Sequence, residues 1–418
     1  MPVKNKLSMF PTLLTALVIG LLIYQFHDPL LDTLTTERED TDNLPFAVDK
    51  SPLGTKNISS FDTTVDAKGR IHLAVDDGSA RYYLWSDDGG ALWTNPVHVA
   101  DGPSSSMPGN DVRFAVKDLH QIIVWKDKGE FPGWGRAQVA ISTDAGLHWQ
   151  PGENPAEKDI SLNQGYFSLL ADQNSFHLLW LDDRKESGHD HQLRHAKSSN
   201  GLDWQEDTLV DNSVCTCCWL SAKNVEGKVF ALYRGTTPRD MQIASYETGS
   251  RDWEMMGRVG EFDWDFTGCP HQGGDLAVSE HNTTTIFHSV VFTGHSEMLG
   301  LHYLTSLDQG ESWQYKHPIG NSSARYVDID TLGGQAFIAW QEILEQQHYI
   351  KIMHINPKGG ASDHYQKKVP GNAYPRIVIH NNTLKLFWLE KNKSNLQSLK
   401  MTTIPTATSD TSPSGIIL

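Results

Sequence analysis

The chain has 418 residues, of which 39% are hydrophobic, 51 are acidic and 35 are basic, giving a net charge of −16. A negative field of this size repels nucleic acid, which we therefore exclude as a partner, and an anionic ligand would need a local basic pocket. The length suffices for one large domain or two ordinary ones.

The N-terminal segment predicts a membrane anchor. Lys4 and Lys6 precede an uncharged run over residues 7–26, and about 20 apolar residues span a bilayer. The positive-inside rule then makes residues 1–6 a cytoplasmic stub and residues 27–44 a linker, with the rest of the chain in the periplasm or extracellular space. A cleaved signal peptide is the alternative, although the run is long for one and no small-residue cleavage site follows it.

Residues 45–403 contain a unit that recurs about every fifty residues. In each of seven copies, a first strand is followed by a short turn and an apolar second strand, often ending in an aromatic and an acidic residue. The second strands are IHLAVDD (71–77), QIIVWKD (121–127), FHLLWLDD (176–183), VFALYRG (229–235), TIFHSVVF (285–292), AFIAWQE (336–342) and LKLFWLE (384–390). No segment after the apolar run has a sustained helical period.

These repeats predict an all-β propeller with seven blades of four antiparallel strands, preceded by one transmembrane helix. The last unit has only three strands of its own, so we expect a strand from residues near 45–55 to complete it and close the ring. Residues 404–418 are rich in Ser and Thr, a composition that predicts a disordered tail.

A turn motif, S-x-D-x-G-x-x-W, occurs at matching points of three units. Its Ser and Asp side chains can bond to backbone amides, its Gly can adopt positive φ, and its Trp can fill the space between sheets. The motif residues are Ser86, Asp88, Gly90, Trp93, Ser142, Asp144, Gly146, Trp149, Ser306, Asp308, Gly310 and Trp313. The motif resembles the Asp boxes of sialidase-like, or BNR-repeat, β-propellers, which implies that fold and a scaffold role for the boxes. Well-known sialidases have six blades, so six is the alternative count.

In a propeller, the inner strand of every blade starts at one face of the central channel, so we expect residues near the seven strand starts to meet there. The residues predicted to line this pocket are Tyr166, Arg234, Arg239, Asp240, Gln272, Asp275 and Asp328.

The four cysteines are expected at the same face. Cys215, Cys217 and Cys218 fall within four positions, and Cys269 lies about one repeat later, so adjacent blades would bring them close. An oxidising compartment favours a disulfide from Cys269 to one of the three. A copper(I) or zinc site with His271 as a further ligand, or free thiols, are the alternatives. Strand alternation would turn Cys218 away from the others unless the entry loop is irregular.

The cysteine region also resembles a bacterial subgroup of BNR-repeat proteins. That subgroup carries C-x-C-C, then Y-R-x-x-x-x-R-D, then G-C-P-x-x-G, and the corresponding stretches here are CTCC, YRGTTPRD and GCPHQG. We know of no activity that this motif set implies.

The family resemblance raises the possibility of exo-sialidase chemistry. Such enzymes hold the substrate carboxylate with three arginines, attack with a Tyr activated by a Glu, and use an Asp as acid and base. The candidates here are Arg113, Arg325 and Arg376 for the arginines, Tyr326 or Tyr374 for the nucleophile, and Asp111 or Asp77 for the acid. The family's early R-I-P motif is absent, since residues 43–62 contain no arginine.

We therefore interpret the chain first as a membrane-anchored, extracytoplasmic propeller that binds a glycan, glycoconjugate or protein at its central pocket. An exo-α-sialidase or related glycoside hydrolase is one alternative. A copper-, zinc- or thiol-dependent protein that uses the cysteine cluster is the other.

Overall fold

The computed structural model describes residues 57–406, except for residues 108, 132, 157–162, 188–189, 248 and 251. In this part of the chain the regular elements are all strands, and no helix is long and apolar enough to cross a membrane. The predicted stub (1–6), anchor (7–26), linker (27–44) and closing strand (45–55) lie outside the described residues, as does the tail from residue 407.

The strands form seven antiparallel sheets, each built from consecutive strands. Blade 1 contains β1 (Ser60–Val65), β2 (Ile71–Asp76), β3 (Ala80–Ser86) and β4 (Val97–Asp101). Blade 2 contains β5 (Arg113–Lys117), β6 (His120–Lys126), β7 (Ala137–Ser142) and β8 (Gln150–Pro151). Blade 3 contains β9 (Gln164–Ala171), β10 (Phe176–Ser187), β11 (Asp190–Ser198) and β12 (Thr208–Cys215).

The remaining blades repeat this plan. Blade 4 contains β13 (Ser221–Val225), β14 (Lys228–Arg234), β15 (Met241–Glu247) and β16 (Glu254–Arg258). Blade 5 contains β17 (Gly274–His281), β18 (Thr284–Thr293), β19 (Gly300–Ser306) and β20 (Gln314–Ile319). Blade 6 contains β21 (Arg325–Leu332), β22 (Gln335–Leu344), β23 (Gln347–Ile355) and β24 (Ala361–Val369). Blade 7 contains β25 (Arg376–His380), β26 (Thr383–Lys391) and β27 (Gln397–Pro405). The predicted all-β, seven-bladed propeller is thus confirmed.

The second strand of each blade is the most apolar because neighbouring blades cover both of its faces. Trp180, Trp340 and Trp388 occupy equivalent positions in three of these strands and are almost completely buried. Each indole Nε1 donates a hydrogen bond to the acid two residues later, for example Trp340 to Glu342 Oε2 at 3.1 Å. Residues two apart on a strand share a face, so the recurring aromatic-x-acid pattern satisfies a donor that burial would otherwise leave unpaired.

The three S-x-D-x-G-x-x-W turns share one hydrogen-bond pattern. In the second copy, Ser142 Oγ donates to Asp144 Oδ1 at 2.8 Å and accepts from the Gly146 N–H at 2.9 Å, while Asp144 Oδ1 accepts from the His148 N–H at 2.9 Å. The copies at residues 86–93 and 306–313 repeat these bonds. Each turn joins the third and fourth strands of its blade, and its Gly has positive φ. The motif therefore builds the scaffold at these hairpins.

The ends of the described chain meet at the junction of blades 7 and 1. The Ile58 N–H donates to the Gln397 carbonyl at 2.8 Å, and the Gln397 N–H donates to Asn57 Oδ1 at 2.9 Å. Beneath these bonds, Phe61 of β1 packs near Phe387 of β26, with ring centroids 6.4 Å apart, in a buried apolar cluster. This junction, here named the seam, brings the start of the propeller against β27.

Candidate functional site in the central channel

A repeated hydrogen bond fixes how the inner strands stand next to one another. Asp275 of β17 accepts from the Ile329 N–H of β21 at 3.1 Å, and Asp328 of β21 accepts from the Ile377 N–H of β25 at 2.7 Å. Equivalent bonds run from Phe114 to Asp62 and from Ala222 to Ser168. The residue that comes directly before each amide donor in the chain thus occupies the same position in its own blade as the acceptor occupies in the preceding blade. These positions form the channel ring, which consists of Asp62, Arg113, Ser168, Ser221, Asp275, Asp328 and Arg376.

The channel ring surrounds one end of a central cavity of about 880 Å³. All seven ring residues line it, and so do the inner strands beyond them. The lining continues to the turns that follow the inner strands, including Asp66, Lys68, Asp118, Asp172 and Asn224. Lys223 and Asp330, two residues beyond the ring, face the same cavity. The cavity therefore extends from the ring toward the turns between first and second strands.

In four blades, the residue two positions before the channel-ring residue is aromatic, and these aromatic side chains pack together. This aromatic layer consists of Tyr166, Trp219, Tyr326 and Tyr374, with the Trp219 and Tyr326 rings 5.5 Å apart and the Tyr326 and Tyr374 rings 4.6 Å apart. Trp219 also packs against Gly109 and Gly273, where an added Cβ would overlap it. The three tyrosines have φ of 54°, 57° and 49°, a conformation that bulky residues rarely adopt. The layer packs across the strand-start end of the channel, and Trp219 alone among its members lines the cavity.

One donor in this layer has no partner. Trp219 is buried, and its Nε1 lacks a hydrogen-bond acceptor among the described residues. An unpaired buried donor costs about 1–3 kcal/mol, so it is an unusual feature of a folded protein. This edge of the indole packs against Gly109, which does not line the cavity.

The two ring arginines are held between carboxylates. Arg376 Nη1 lies 3.0 Å from Asp328 Oδ1, and its Nη2 lies 3.6 Å from Asp111 Oδ2. Arg113 Nη2 lies 3.8 Å from the same Asp111 oxygen, Arg113 Nη1 lies 3.9 Å from Asp62 Oδ1, and Arg113 Nε donates to the Phe167 carbonyl. Burial alone would lower the pKa of Arg376, but the attraction of Asp328 and Asp111 outweighs it and the pKa is raised. Burial and the nearby Arg376 lower the pKa of Arg113, against the attraction of Asp62 and Asp111. Both arginines already lie in ion pairs with carboxylates.

Three acids in or beside the channel, Asp111, Asp328 and Asp330, are harder to ionise than usual. Burial raises the pKa of Asp328 to about 6, with Arg376 opposing the shift and Asp275 adding to it. Burial also raises the pKa of Asp111 and of Asp330. The pKa of Lys223 is raised, chiefly by Asp275. Arg113, Arg376 and Lys223 thus lie among several carboxylates at the ring end of the cavity, which can offer both donors and acceptors.

The predicted catalytic residues are only partly brought together. Arg113 and Arg376 line the cavity, whereas Arg325 does not, and its Nε donates to the Ser323 carbonyl at 2.9 Å. The inner strand of blade 6 shifts register between Arg325 and Asp328, so Asp328 holds the position that an arginine holds in blades 2 and 7. Tyr326 and Tyr374 lie in the aromatic layer, and burial raises the pKa of Tyr374. No glutamate is found among the described residues that line the cavity.

Of the residues predicted to line the pocket, Asp275 and Asp328 line the cavity. Gln272 is buried next to Trp219, and its backbone carbonyl accepts a hydrogen bond from the Trp219 backbone N–H at 3.4 Å. The others, Tyr166, Arg234, Arg239 and Asp240, do not line it. Asp77, the alternative acid, accepts the Ser79 and Ala80 N–H groups in the turn after β2. That turn joins the second and third strands and contributes no residue to the cavity lining.

The four cysteines form two disulfides, Cys215–Cys218 and Cys217–Cys269, with Cα separations of 5.8 and 5.7 Å. The disulfide interpretation is thus confirmed. Strand alternation does not turn Cys218 away, because the entry loop is irregular: β12 ends at Cys215 and residues 216–220 belong to no strand. Since each sulfur is bonded to another sulfur, a copper or zinc site would need reduced thiols. His271, the proposed further ligand, has its Nδ1 3.3 Å from the Tyr166 hydroxyl.

Arg234 and Asp240 organise the loop that carries Cys269. Arg234 Nη1 lies 3.4 Å from Cys215 Sγ and 3.5 Å from Cys218 Sγ, and its guanidinium lies 3.7 Å from the centre of the Trp264 ring. Asp240 accepts the backbone N–H groups of residues 262–264. The Y-R-x-x-x-x-R-D stretch therefore supports the disulfides rather than the channel.

Several channel residues escaped the sequence analysis, namely Asp62, Ser168, Trp219, Ser221, Lys223 and Asp330. They could have been found by aligning the seven inner strands. Asp275 and Asp328, each followed by an apolar residue, mark the same position in blades 5 and 6. Positions at intervals of two from that point then face the channel.

Comparisons with known proteins show which solved structures have a similar fold. No protein-family model and no curated protein matches the chain. Among solved structures, an ulvan lyase of polysaccharide lyase family PL25, bound to -[GlcA(1-4)Rha3S]-, matches with a TM-score of 0.56 and 12% identity over 86% of this chain and 95% of its own. The endosialidase of phage phi92 matches with a TM-score of 0.51 and 9% identity over 89% of this chain and 71% of its own. NanB sialidase from Streptococcus pneumoniae gives 0.45 and 11%, over 86% and 70%. The chain thus has a sialidase-like propeller fold.

Proposed function

We propose that the propeller is a glycan-binding module and that its ligand occupies the central channel, with Trp219 as the floor. The observation that carries the proposal is a central cavity that has Trp219 at one end and is surrounded there by a ring of polar and charged side chains. A cavity of about 880 Å³ lies within the range of small-molecule sites.

The chemistry of this lining suits a sugar. The apolar face of a pyranose packs on an aromatic ring, and its hydroxyls both donate and accept hydrogen bonds. Carboxylates such as Asp275 accept from those hydroxyls, and Lys223 donates to them. Lys223 lines the cavity, and its charge interacts with Asp275, so a ligand in the cavity can accept a hydrogen bond from its ammonium. Of the two structures with a similar fold, one is named a polysaccharide lyase and the other an endosialidase.

Binding is better supported than sialidase chemistry because the arginines are engaged. A sialic acid carboxylate would have to displace Asp328 or Asp111 from Arg376, and Asp111 or Asp62 from Arg113. Acidic side chains near that position would also repel the substrate. The exo-sialidase alternative therefore lacks its anion-binding site.

The test is a glycan array with the full chain in detergent, followed by calorimetry on each hit. Lys223→Ala and Trp219→Phe should each weaken binding about tenfold, the first through loss of a charged hydrogen bond and the second through loss of part of the aromatic contact. Lys358→Ala, on an exposed turn, is the matched control and should bind like the wild type. Absence of binding to every glycan, or binding that Lys223→Ala and Trp219→Phe leave unchanged, would contradict the proposal.

A second candidate function is glycan cleavage with Asp328 as the acid. The pKa of about 6 leaves this carboxyl partly protonated in mildly acidic solution, which is the property required of a general acid. Products are looked for by mass spectrometry after incubation with each bound glycan. Turnover that disappears in Asp328→Asn while binding persists would favour the enzyme, and stable glycans would favour the binding module.

We further propose that residues 7–26 anchor the protein and that the propeller faces the periplasm or the extracellular space. The two disulfides support an oxidising compartment. The C-x-C-C and G-C-P motifs, together with the Asp-box turns, support membership of the bacterial BNR-repeat subgroup. Resistance to carbonate extraction, with protease access to the propeller in cells or spheroplasts, tests the topology.

A further inference from the structure

We propose that the four cysteines form a thiol–disulfide exchange relay, in which Cys269 receives an external thiol and Cys217 passes the exchange to the buried Cys215–Cys218 pair. This activity is separate from the proposed glycan binding. Its electron donor is a small thiol or the reduced dithiol of a redox protein, and the chain's disulfide accepts the electrons.

Accessibility differs sharply between the two ends of the cluster. Cys269 is exposed, whereas Cys215, Cys217 and Cys218 are buried. A thiolate from solution therefore meets the Cys269 sulfur first, and access is one of the factors that select the attacked sulfur.

The inner sulfurs are close enough to exchange with one another. The Sγ atoms of Cys215, Cys217 and Cys218 all lie within 4.8 Å of one another. A thiolate formed on Cys217 is thus already beside the Cys215–Cys218 bond. Cys217 and Cys218 are adjacent in the chain, so attack on Cys215 closes the larger and less constrained ring.

The exchange transfers two electrons from two external thiols to one disulfide of the chain. An external thiolate attacks Cys269 Sγ, the Cys217–Cys269 bond breaks, and Cys217 leaves as a thiolate. Cys217 then attacks Cys215 Sγ, which forms Cys215–Cys217 and releases Cys218 as a thiolate. A second external thiolate attacks the mixed disulfide on Cys269, releasing Cys269 as a thiolate and an external disulfide. Two external thiols are oxidised, and one disulfide of the chain is reduced.

Arg234 stabilises the thiolate that this sequence produces. Its Nη1 already contacts both Cys215 Sγ and Cys218 Sγ, and a guanidinium beside a sulfur favours the anionic form. Bonds to the Arg239 and Phe266 carbonyls, at 2.7 and 2.9 Å, hold the guanidinium in place. Arg234 is a positioning residue here, since it does not exchange a bond.

The relay is tested with reduced glutathione and the full chain under anaerobic conditions. Samples are quenched with acid at intervals, alkylated, and mapped by mass spectrometry. We expect glutathione on Cys269 first, followed by a Cys215–Cys217 bond with free Cys218. In the double variant Cys217→Ser/Cys269→Ser, reduction of Cys215–Cys218 should be at least about tenfold slower, because the buried bond has lost its attacking thiol.

Two outcomes overturn the relay. One is a glutathione adduct on Cys215 or Cys218 before any on Cys269, and the other is equal reduction rates in the wild type and the double variant. The order of adducts in the wild type decides the question if the double variant does not fold, as checked by circular dichroism. In partly reduced protein, Arg234→Met should slow alkylation of Cys218 about fivefold or more relative to Cys269 in the same molecule, and an unchanged ratio removes Arg234 from the proposal.

Discussion

Arg376 and Asp328 occupy the same position in adjacent blades, and their side chains form an ion pair at 3.0 Å. Asp328 uses its other oxygen to accept the Ile377 N–H, so one carboxylate joins two inner strands through both backbone and side chain. The channel ring thus holds the blades in register as well as lining the candidate site.

Removal of the Arg376 charge should destabilise the ring. Arg376→Met leaves Asp328 and Asp111 close together without their cation, and we expect a loss of about 3 kcal/mol in the free energy of unfolding, the low end for a broken buried pair because the site borders a channel. Arg376→Lys keeps the charge and should lose about 1 kcal/mol. Urea titration of the full chain measures both, and equal losses would contradict the electrostatic explanation.

Buried histidines should make the propeller sensitive to mild acid. Burial lowers the pKa of His72 and of His288 to about 4, from 6.5. The unfolded chain takes up these protons below pH 6.5 while the folded chain does not, so stability is complete above pH 6.5 and falls as the pH drops toward 4. Each histidine contributes on the order of 3 kcal/mol over this window. The raised pKa of Asp328 acts in the opposite direction between pH 3.8 and 6.

His288→Gln isolates one of these contributions. Glutamine retains hydrogen-bonding groups near Ser279 and Tyr303, which His288 contacts at 2.8 and 2.6 Å, but it does not titrate. The variant should lose less stability than the wild type between pH 7 and pH 4.5 when both are unfolded in urea. Parallel losses would show that His288 does not cause the acid sensitivity.

The Asp-box turns should tolerate no side chain at their glycine. Gly146 has φ +87°, and a Cβ there would overlap the Tyr83 ring. Gly227 has φ +85° but nothing within 4 Å of its Cβ position. Gly227→Ala therefore measures only the free-energy cost of placing a residue with a Cβ at positive φ. We expect Gly227→Ala to cost about 1 kcal/mol and Gly146→Ala about 2–4 kcal/mol. Similar melting temperatures for the two variants would refute the packing role.

The two disulfides should contribute unequally to stability. Cys217–Cys269 spans a sequence separation of 52, and Cys215–Cys218 spans only 3. Loop-closure entropy predicts about 4 kcal/mol for the first and about 2 kcal/mol for the second. Unfolding of Cys217→Ala/Cys269→Ala and Cys215→Ala/Cys218→Ala measures the difference, and a larger loss in the second variant would contradict this account.

Sequence periodicity was sufficient to predict the blades. The predicted second strand at 121–127 corresponds to β6 at His120–Lys126, and the predicted strand at 384–390 lies within β26 at Thr383–Lys391. Such strands are recognisable because burial on both faces requires a continuous apolar run. The bridge from Cys269 to the C-x-C-C segment was also predictable, since one repeat of separation corresponds to adjacent blades.

The interior of the channel could not be predicted in the same way. Positive φ at Tyr326 and Tyr374, and the register shift before Asp328, change which side chains point inward. Neither feature leaves a clear mark in the local sequence, since tyrosine ordinarily avoids that conformation. Arg325 was therefore grouped with Arg113 and Arg376, although the position equivalent to theirs is held by Asp328.

The positions of the disulfides also determine how the propeller responds to mechanical force. Cys217–Cys269 ties together the segments that enter blades 4 and 5. Among the described residues, the seam is held by the hydrogen bonds of Gln397 and the packing of Phe61 near Phe387. A pull on the segment before residue 57 acts on the seam directly. Under mechanical load the propeller should therefore open first at the seam, while blades 4 and 5, whose entry segments are joined by the disulfide, remain folded.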